Sequence, residues 1–171
     1  PRAATAAGLE PALVFGLIRQ ETRFMSQIKS HVGASGLMQL MPATARYMAK
    51  RVGLTNYRPE HVFDNAINLQ LGSGYLKLVL DDLGGSQALA AAAYNAGPGR
   101  PRKWREGAVV ETAAWAENVP FNETRDYVKK VLSNAVVYAA QIKAQPASLK
   151  ARLGAGVGPR DNNAPSEIGR A

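Results

Sequence analysis

Apolar residues in this chain recur at steps of three and four and almost nowhere at alternate positions. That period admits amphipathic helices and leaves little room for strands. The clearest case is residues 11–25. Pro11 suits a first helical position, where its missing N–H costs nothing. Leu13, Val14, Leu17, Ile18, Phe24 and Met25 then share one arc of roughly 140°, while Arg19, Gln20 and Arg23 fall outside it. Glu21 falls near the middle of the apolar arc. Burial there disfavours the charged form and raises the pKa. A carboxylic acid still protonated near neutral pH is what a general acid needs. The competing reading is a core glutamate paired to a base, or one left at the rim of a rotated helix.

The same period, punctuated by Pro and Gly, marks further helices. Pro42 opens one that runs to about residue 52 and ends at Gly53. Asp64 is a good N-cap for a third, carrying Ile67, Leu71, Tyr75, Leu78 and Leu83 and stopped by Gly84-Gly85. Ser86 caps an alanine-rich fourth helix over residues 87–96, which Gly97-Pro98-Gly99 ends. A short apolar helix is expected near residues 109–117. Asn122 caps a last long one, with Tyr127, Val131, Ala135, Tyr138 and Ile142 on one face. Residues 1–8 read as an Ala-rich lead-in, 26–36 as a Ser- and Gly-rich loop, 55–63 as irregular, and the segment after Gly99 as a basic, irregular connection. From residue 145 onward Gly, Pro, Asn and Ser dominate and periodicity vanishes. The expected organisation is therefore a mainly α domain over residues 1–144 and a flexible tail over 145–171.

Composition narrows the function classes. Cysteine is absent, which removes disulfides and thiolate metal sites. His31 and His61 lack the spacing and partners of a metal site. No apolar run approaches the ~20 residues of a membrane span. Residues 1–8 do not form a signal pattern, and with a first residue other than Met the expectation is a processed product or an excised piece. The formal net charge of +8 favours polyanions, whether nucleic acid, anionic membrane or an acidic cell wall. The excess is diffuse, and its densest clusters (Arg100 to Arg105, Lys129-Lys130) lack the aromatic spacing or reading module of a nucleic-acid binder.

Three further segments carry polar groups where packing alone would not put them. Gln39 is an amide inside the apolar string Gly36-Leu37-Met38-Gln39-Leu40-Met41-Pro42. Tyr94 and Asn95 lie at a helix C-terminus in Ala93-Tyr94-Asn95-Ala96-Gly97-Pro98-Gly99, beside glycines that let another chain approach. Glu117-Asn118-Val119-Pro120-Phe121-Asn122-Glu123-Thr124-Arg125-Asp126-Tyr127 is a polar turn into a helix. Each has a plainer reading: Gln39 as a turn cap, Tyr94 as a core aromatic with a wet hydroxyl, Glu117 as the ion partner of Arg125.

Together with Gln20-Glu21-Thr22-Arg23-Phe24, Ser30 and Gly33-Ala34-Ser35, these segments resemble the catalytic domain of the soluble lytic transglycosylases of bacterial cell walls. Four motifs stand in family order and at family spacing, over residues 9–142. One position departs: the family usually has Ser after the catalytic Glu, and here it is Thr22, whose hydroxyl is expected to serve a backbone contact from outside the apolar arc.

The resemblance implies a goose-type lysozyme-like helical domain with at most a very small β element. The implied substrate is peptidoglycan, cut without water at the bond from N-acetylmuramic acid to N-acetylglucosamine, to leave a 1,6-anhydro product. Glu21 matches the single acid/base. Ser30 matches a hydroxyl near the acid and the reacting sugar, Gln39 and Met41 match groups lining the glycan cleft, and Tyr94 matches a phenol beside the acid, with Asn95 next to it as a further substrate-binding candidate. Glu117 matches a polar group on the muramyl or peptide side. Tyr127 has core packing as an equal reading, and Trp104 and Trp115 are assigned to packing. No cofactor is implied. The implied partners are glycan strands and cell-wall synthesis proteins, not nucleic acid, and the implied location is the periplasm or cell envelope. Two alternatives stay open: a lysozyme-like hydrolase, which needs a second carboxylate to activate water, and a non-catalytic glycan- or nucleic-acid-binding module.

Overall fold

Two helices that cross at a glycine hold the molecule together. The computed structural model describes residues 2–105, 112–143, 149–154 and 156–158. Helix α1 covers Arg2–Ala6, α2 Pro11–Glu21, α3 Pro42–Arg51, α4 Asn65–Asp82, α5 Gln87–Ala96, α6 Gly99–Trp104, α7 Thr112–Glu117, α8 Asn122–Lys143 and α9 Leu149–Leu153. The most extensive contact is between α2 and α8. A Cβ on Gly16 would lie 2.6 Å from the Val131 carbonyl oxygen and 2.9 Å from the Ala135 nitrogen, so glycine alone lets the two backbones come this close. Leu13, Leu17 and Ile18 of α2 and Val128, Val131 and Leu132 of α8 fill the seam.

Helix α5 explains itself by its composition. Ala88 to Ala93 are all buried, and a helix apolar on every side belongs in the centre. It packs on α8, α4 and α6. Its start and that of α4 are capped as the sequence implies. The Leu89 N–H donates to the Ser86 hydroxyl at 3.3 Å, and the Ile67 N–H donates to the Asp64 carboxylate at 3.0 Å. Side chains divide into two cores. The larger joins α1, α2, α5, α7 and α8 with one face of α4. The smaller, around Leu40, Met48, Val62 and Leu71, lies between α3, a 3₁₀ turn at Pro59–Phe63 and another face of α4. Tyr75 and Tyr94 pack against both. Within residues 26–41, antiparallel bridges join Lys29 to Ser35 and Ser35 to Leu40, a very small β element of the expected kind.

The structure departs from the sequence reading in several places. Helix α2 ends at Glu21, four residues early. Arg23 and Phe24 turn the chain through left-handed conformations, with φ of 51° and 67°. Phe24 and Met25 are therefore exposed, at 43 % and 55 %, rather than in the core. The Phe24 ring instead meets Phe15 and Tyr138 at 6.3 and 6.2 Å. Thr22 makes the expected backbone contact, its hydroxyl donating to the Leu37 carbonyl at 2.9 Å, but the side chain is buried rather than outside the apolar face. The Ala-rich lead-in and the basic connection each contain a helix, α1 and α6. The latter is tied down by Arg102, which pairs at 2.6 Å with the fully buried carboxylate of Asp82.

Part of the expected tail is folded as well. On α9, Arg152 grips Glu10 with both amino groups at 2.7 Å and reaches Gln87 at 3.1 Å. Val157 is buried, and Arg105 donates to the Gly158 carbonyl at 2.9 Å. A bidentate pair 142 residues apart leaves no local pattern to read. The rest of the expected tail, and residues 109–111 of the expected short helix, lie outside the described residues. Among the described residues no helix is long and apolar enough to cross a membrane.

Candidate active site

The end of α2 delivers Glu21 to a polar cluster at the junction of α2, α5, α8 and the loop over residues 35–41. Tyr127, buried on the first turns of α8, donates its hydroxyl to a Glu21 carboxylate oxygen at 2.8 Å. The Glu21 pKa is raised from an ordinary 4.5 to about 7. Burial is the main cause; the Tyr127 hydrogen bond opposes it, and the negative charge of Glu123 adds to it. As the last residue of α2, Glu21 also sits at the negative end of the helix dipole, which acts in the same direction as burial. At neutral pH the acid thus populates both its neutral and its charged form.

Tyr94, at the last turn of α5, donates to the Met38 carbonyl at 2.6 Å. Burial, and after it the Glu21 charge, pushes both Tyr94 and Tyr127 well above the ordinary phenol range, so both remain donors. The loop itself is pinned from three sides. Thr22 holds Leu37, Tyr94 holds Met38, and Asn68 of α4 holds three further backbone groups. Asn68 is fully buried. Its carbonyl accepts from the Met38 N–H at 2.8 Å, and its NH₂ donates to the Val62 and Ser35 carbonyls at 2.8 and 3.0 Å. Gly36, at φ 77°, has the Val62 carbonyl 2.7 Å from where a Cβ would stand, so no larger residue fits against this hub.

The other sequence candidates divide. Gln39 adopts a left-handed φ of 47°, and its NH₂ donates to the Ile28 and Gly36 carbonyls, both at 2.9 Å. It therefore serves the turn, as its plainer reading had it, within the loop that faces Glu21. The Ser30 hydroxyl accepts from the Ala34 N–H at 3.0 Å in the same segment. Met41 is 42 % exposed at the start of α3. Asn95 accepts from the buried Thr124 hydroxyl at 2.7 Å, stitching the end of α5 to the start of α8. Glu117 is exposed and pairs at 2.8 Å with Lys129, not with Arg125. Trp115 is buried with its indole N–H on the Trp104 carbonyl at 3.0 Å, a packing role.

Sequence reasoning missed Asn68 and Thr124 and undervalued Tyr127. A buried tyrosine must still satisfy its hydroxyl, and that is the one signal Tyr127 offers; it does not name the acceptor. Tyr127→Phe removes a donor that favours the charged carboxylate. The Glu21 pKa is expected to climb by roughly one further pH unit, read by carbon NMR of the carboxyl group through a titration. A Tyr127 that only packs would lower stability and leave that titration where it was.

The chain matches the family described as "Transglycosylase SLT domain" over residues 1–114, and the "Soluble lytic transglycosylase helical domain" over residues 118–146, a stretch that contains α8. It is 39 % identical over 133 residues to a soluble lytic murein transglycosylase of Salmonella typhimurium, covering 76 % of this chain and 21 % of that protein. Among solved structures it is similar to the lytic transglycosylase Slt of Pseudomonas aeruginosa, an inactive Glu-to-Gln mutant, with TM-score 0.82, 41 % identity, and coverage of 86 % of this chain and 24 % of that one. It is likewise similar to the 70-kDa soluble lytic transglycosylase of Escherichia coli, with TM-score 0.81, 34 % identity, and coverage of 91 % and 26 %. The chain spans about a fifth of the length of the curated relative and about a quarter of each solved one.

Proposed function

Because the chain belongs to the transglycosylase SLT domain family, we propose that it cleaves peptidoglycan as a lytic transglycosylase, with Glu21 as its only acid/base. The observation that carries this reading is an acid at about pH 7, mostly buried and held by a tyrosine. In its neutral form Glu21 gives its proton to the glycosidic oxygen as the bond from C1 of N-acetylmuramic acid breaks. The departing N-acetylglucosamine leaves with a free 4-hydroxyl. The acetamido oxygen of the muramyl sugar steadies C1. Glu21, now a carboxylate, takes the proton of the C6 hydroxyl while O6 bonds to C1, closing the 1,6-anhydro ring and restoring the acid. No water is consumed. One group performs both transfers best when its pKa lies near the working pH. The nucleophile belongs to the substrate, so its effective concentration is already high.

In this proposal Ser30, Gln39, Met41, Tyr94 and Asn95 form the glycan side of the site, and Glu117 meets the muramyl or peptide side from the rim. Glycan strands are the substrate, cell-wall synthesis proteins are further partners, and the periplasm or cell envelope is the place of action. Residues 1–144 form the catalytic unit. Purified sacculi digested with the chain are expected to yield anhydromuropeptides by mass spectrometry, and products ending only in reducing muramic acid overturn the proposal.

A further inference from the structure

The seam between the end of α5 and the start of α8 holds a hydroxyl that packing does not require. Thr124 is buried there, where a valine of the same shape would pack as well and bring no polar atom to satisfy. Its hydroxyl donates to the Asn95 carbonyl at 2.7 Å, and among the described residues no other acceptor takes that hydrogen. The same bond settles which way the Asn95 amide faces. Turned end for end, the amide would set its NH₂ against Thr124 and leave the buried hydroxyl hydrogen without an acceptor. With the carbonyl held, the NH₂ points away from the seam. It has no hydrogen-bond partner among the described residues, yet it is not one of their buried unsatisfied atoms, so it stands open to solvent as a free donor.

This donor stands beside the acid. Thr124 and Tyr127 are three positions apart on α8 and both buried, so they share one face, with Cβ atoms roughly 5–6 Å apart. One binds Asn95 and the other binds Glu21. Asn95 also follows Tyr94, whose phenol feels the Glu21 charge. Two neighbouring side chains of α8 thus hold an amide and an acid next to each other. The direction of that amide matters for an N-acetylated sugar, because an acetamido carbonyl accepts hydrogen bonds and cannot donate them. We propose that Thr124 is a positioning residue, its hydroxyl locking the Asn95 amide so that the NH₂ donates to an acetamido carbonyl of the glycan beside Glu21. The inference rests on the peptidoglycan reading above. It adds that Thr124, itself buried away from any ligand, decides whether Asn95 meets the sugar as a donor or as an acceptor.

The test uses the whole chain and glycan strands stripped of peptide. Thr124→Val removes the hydroxyl and keeps the shape, whereas Thr124→Ser keeps the hydroxyl. Thr124→Val is expected to raise KM about tenfold, the worth of one neutral hydrogen bond, and to leave kcat within about twofold; Thr124→Ser should retain the native KM. Asn95→Ala should raise KM by a similar factor, and the double variant no further, because both changes remove one contact. In the Glu21→Gln chain, which holds strands without cutting them, NMR is expected to show a nuclear Overhauser contact from the Asn95 NH₂ protons to an acetyl methyl group of the glycan, lost when Thr124→Val is added. A hydroxyl that only stitches α5 to α8 would lower the melting temperature and leave KM alone. That result, additive penalties in the double variant, or no contact between the Asn95 NH₂ and an acetyl group when strands are added overturns the inference. Strand binding that follows the hydroxyl, in a chain that releases no anhydro product, supports the role of Thr124 and overturns the proposed activity instead.

Discussion

Glu21→Gln is expected to lower turnover roughly a thousandfold or more while making the protein more stable above neutral pH. The first effect follows from removing the one group proposed to give and take the proton. The second follows from where that group sits. Below about pH 4 the acid is neutral whether the chain is folded or not, and the amide is an equivalent neutral neighbour for Tyr127. As pH rises from 4.5 to about 7, the unfolded chain releases this proton and the folded chain keeps it. The unfolded state then binds fewer protons, so stability falls with pH across that window and levels off above it. The full difference amounts to about 3 kcal/mol at pH 8. Urea titrations of both forms at pH 4 and pH 8 should superimpose at the first and separate at the second. Equal midpoints at pH 8 would mean that Glu21 is not held in a site that resists its charge. A variant that still turns over sacculi at the native rate would remove Glu21 from the mechanism altogether.

Asn68→Ala should be the most damaging single change outside the reacting groups. It strands the Met38 N–H and the Val62 carbonyl, while the Ser35 carbonyl keeps the Leu40 N–H at 3.0 Å. At ~1–3 kcal/mol for each buried group left without a partner, a loss of about 4 kcal/mol is expected. For a chain of this size that is a fall in Tm of roughly 10 °C. The damage is aimed at the loop over residues 35–41, because Asn68 is what fixes the Met38 backbone on its far side from Tyr94. Calorimetry measures the first effect, and sacculus digestion well below the lowered Tm measures the second. A change of less than 1 kcal/mol would show that the loop keeps its shape without this amide.

Much of the helical framework was legible because it is local. Asp64 and Ser86 cap the helices they were read to cap, and α5 runs over residues 87–96 as its flanking residues require. Caps, prolines and paired glycines act within one turn, so the signal and its effect lie in the same few residues. The irregular elements misled for a related reason. Residues 2–6 and 99–104 are too short and too poor in periodic apolar residues to mark themselves as helices. They are held by tertiary contacts, such as Arg102 with Asp82.

Glu21 shows the division most clearly. Its anomaly, a carboxylate within an apolar arc, was visible in fifteen consecutive residues. What the anomaly amounts to was not. The helix stops at Glu21 because Thr22 is captured by Leu37 and the next two residues reverse the chain. Its partner Tyr127 comes from 106 residues away. The Arg152–Glu10 clamp, which turns part of an apparent tail into structure, spans still more of the chain. Helix positions, the mainly α class and the presence of a misplaced acid were set by residue type and period, which are properties of neighbours along the chain. The state of that acid, the shape of the loop opposite it and the contact of Thr124 with Asn95 were decided by packing. Desolvation and hydrogen bonding depend on which distant groups the fold brings within about 3 Å, and no local pattern encodes that distance.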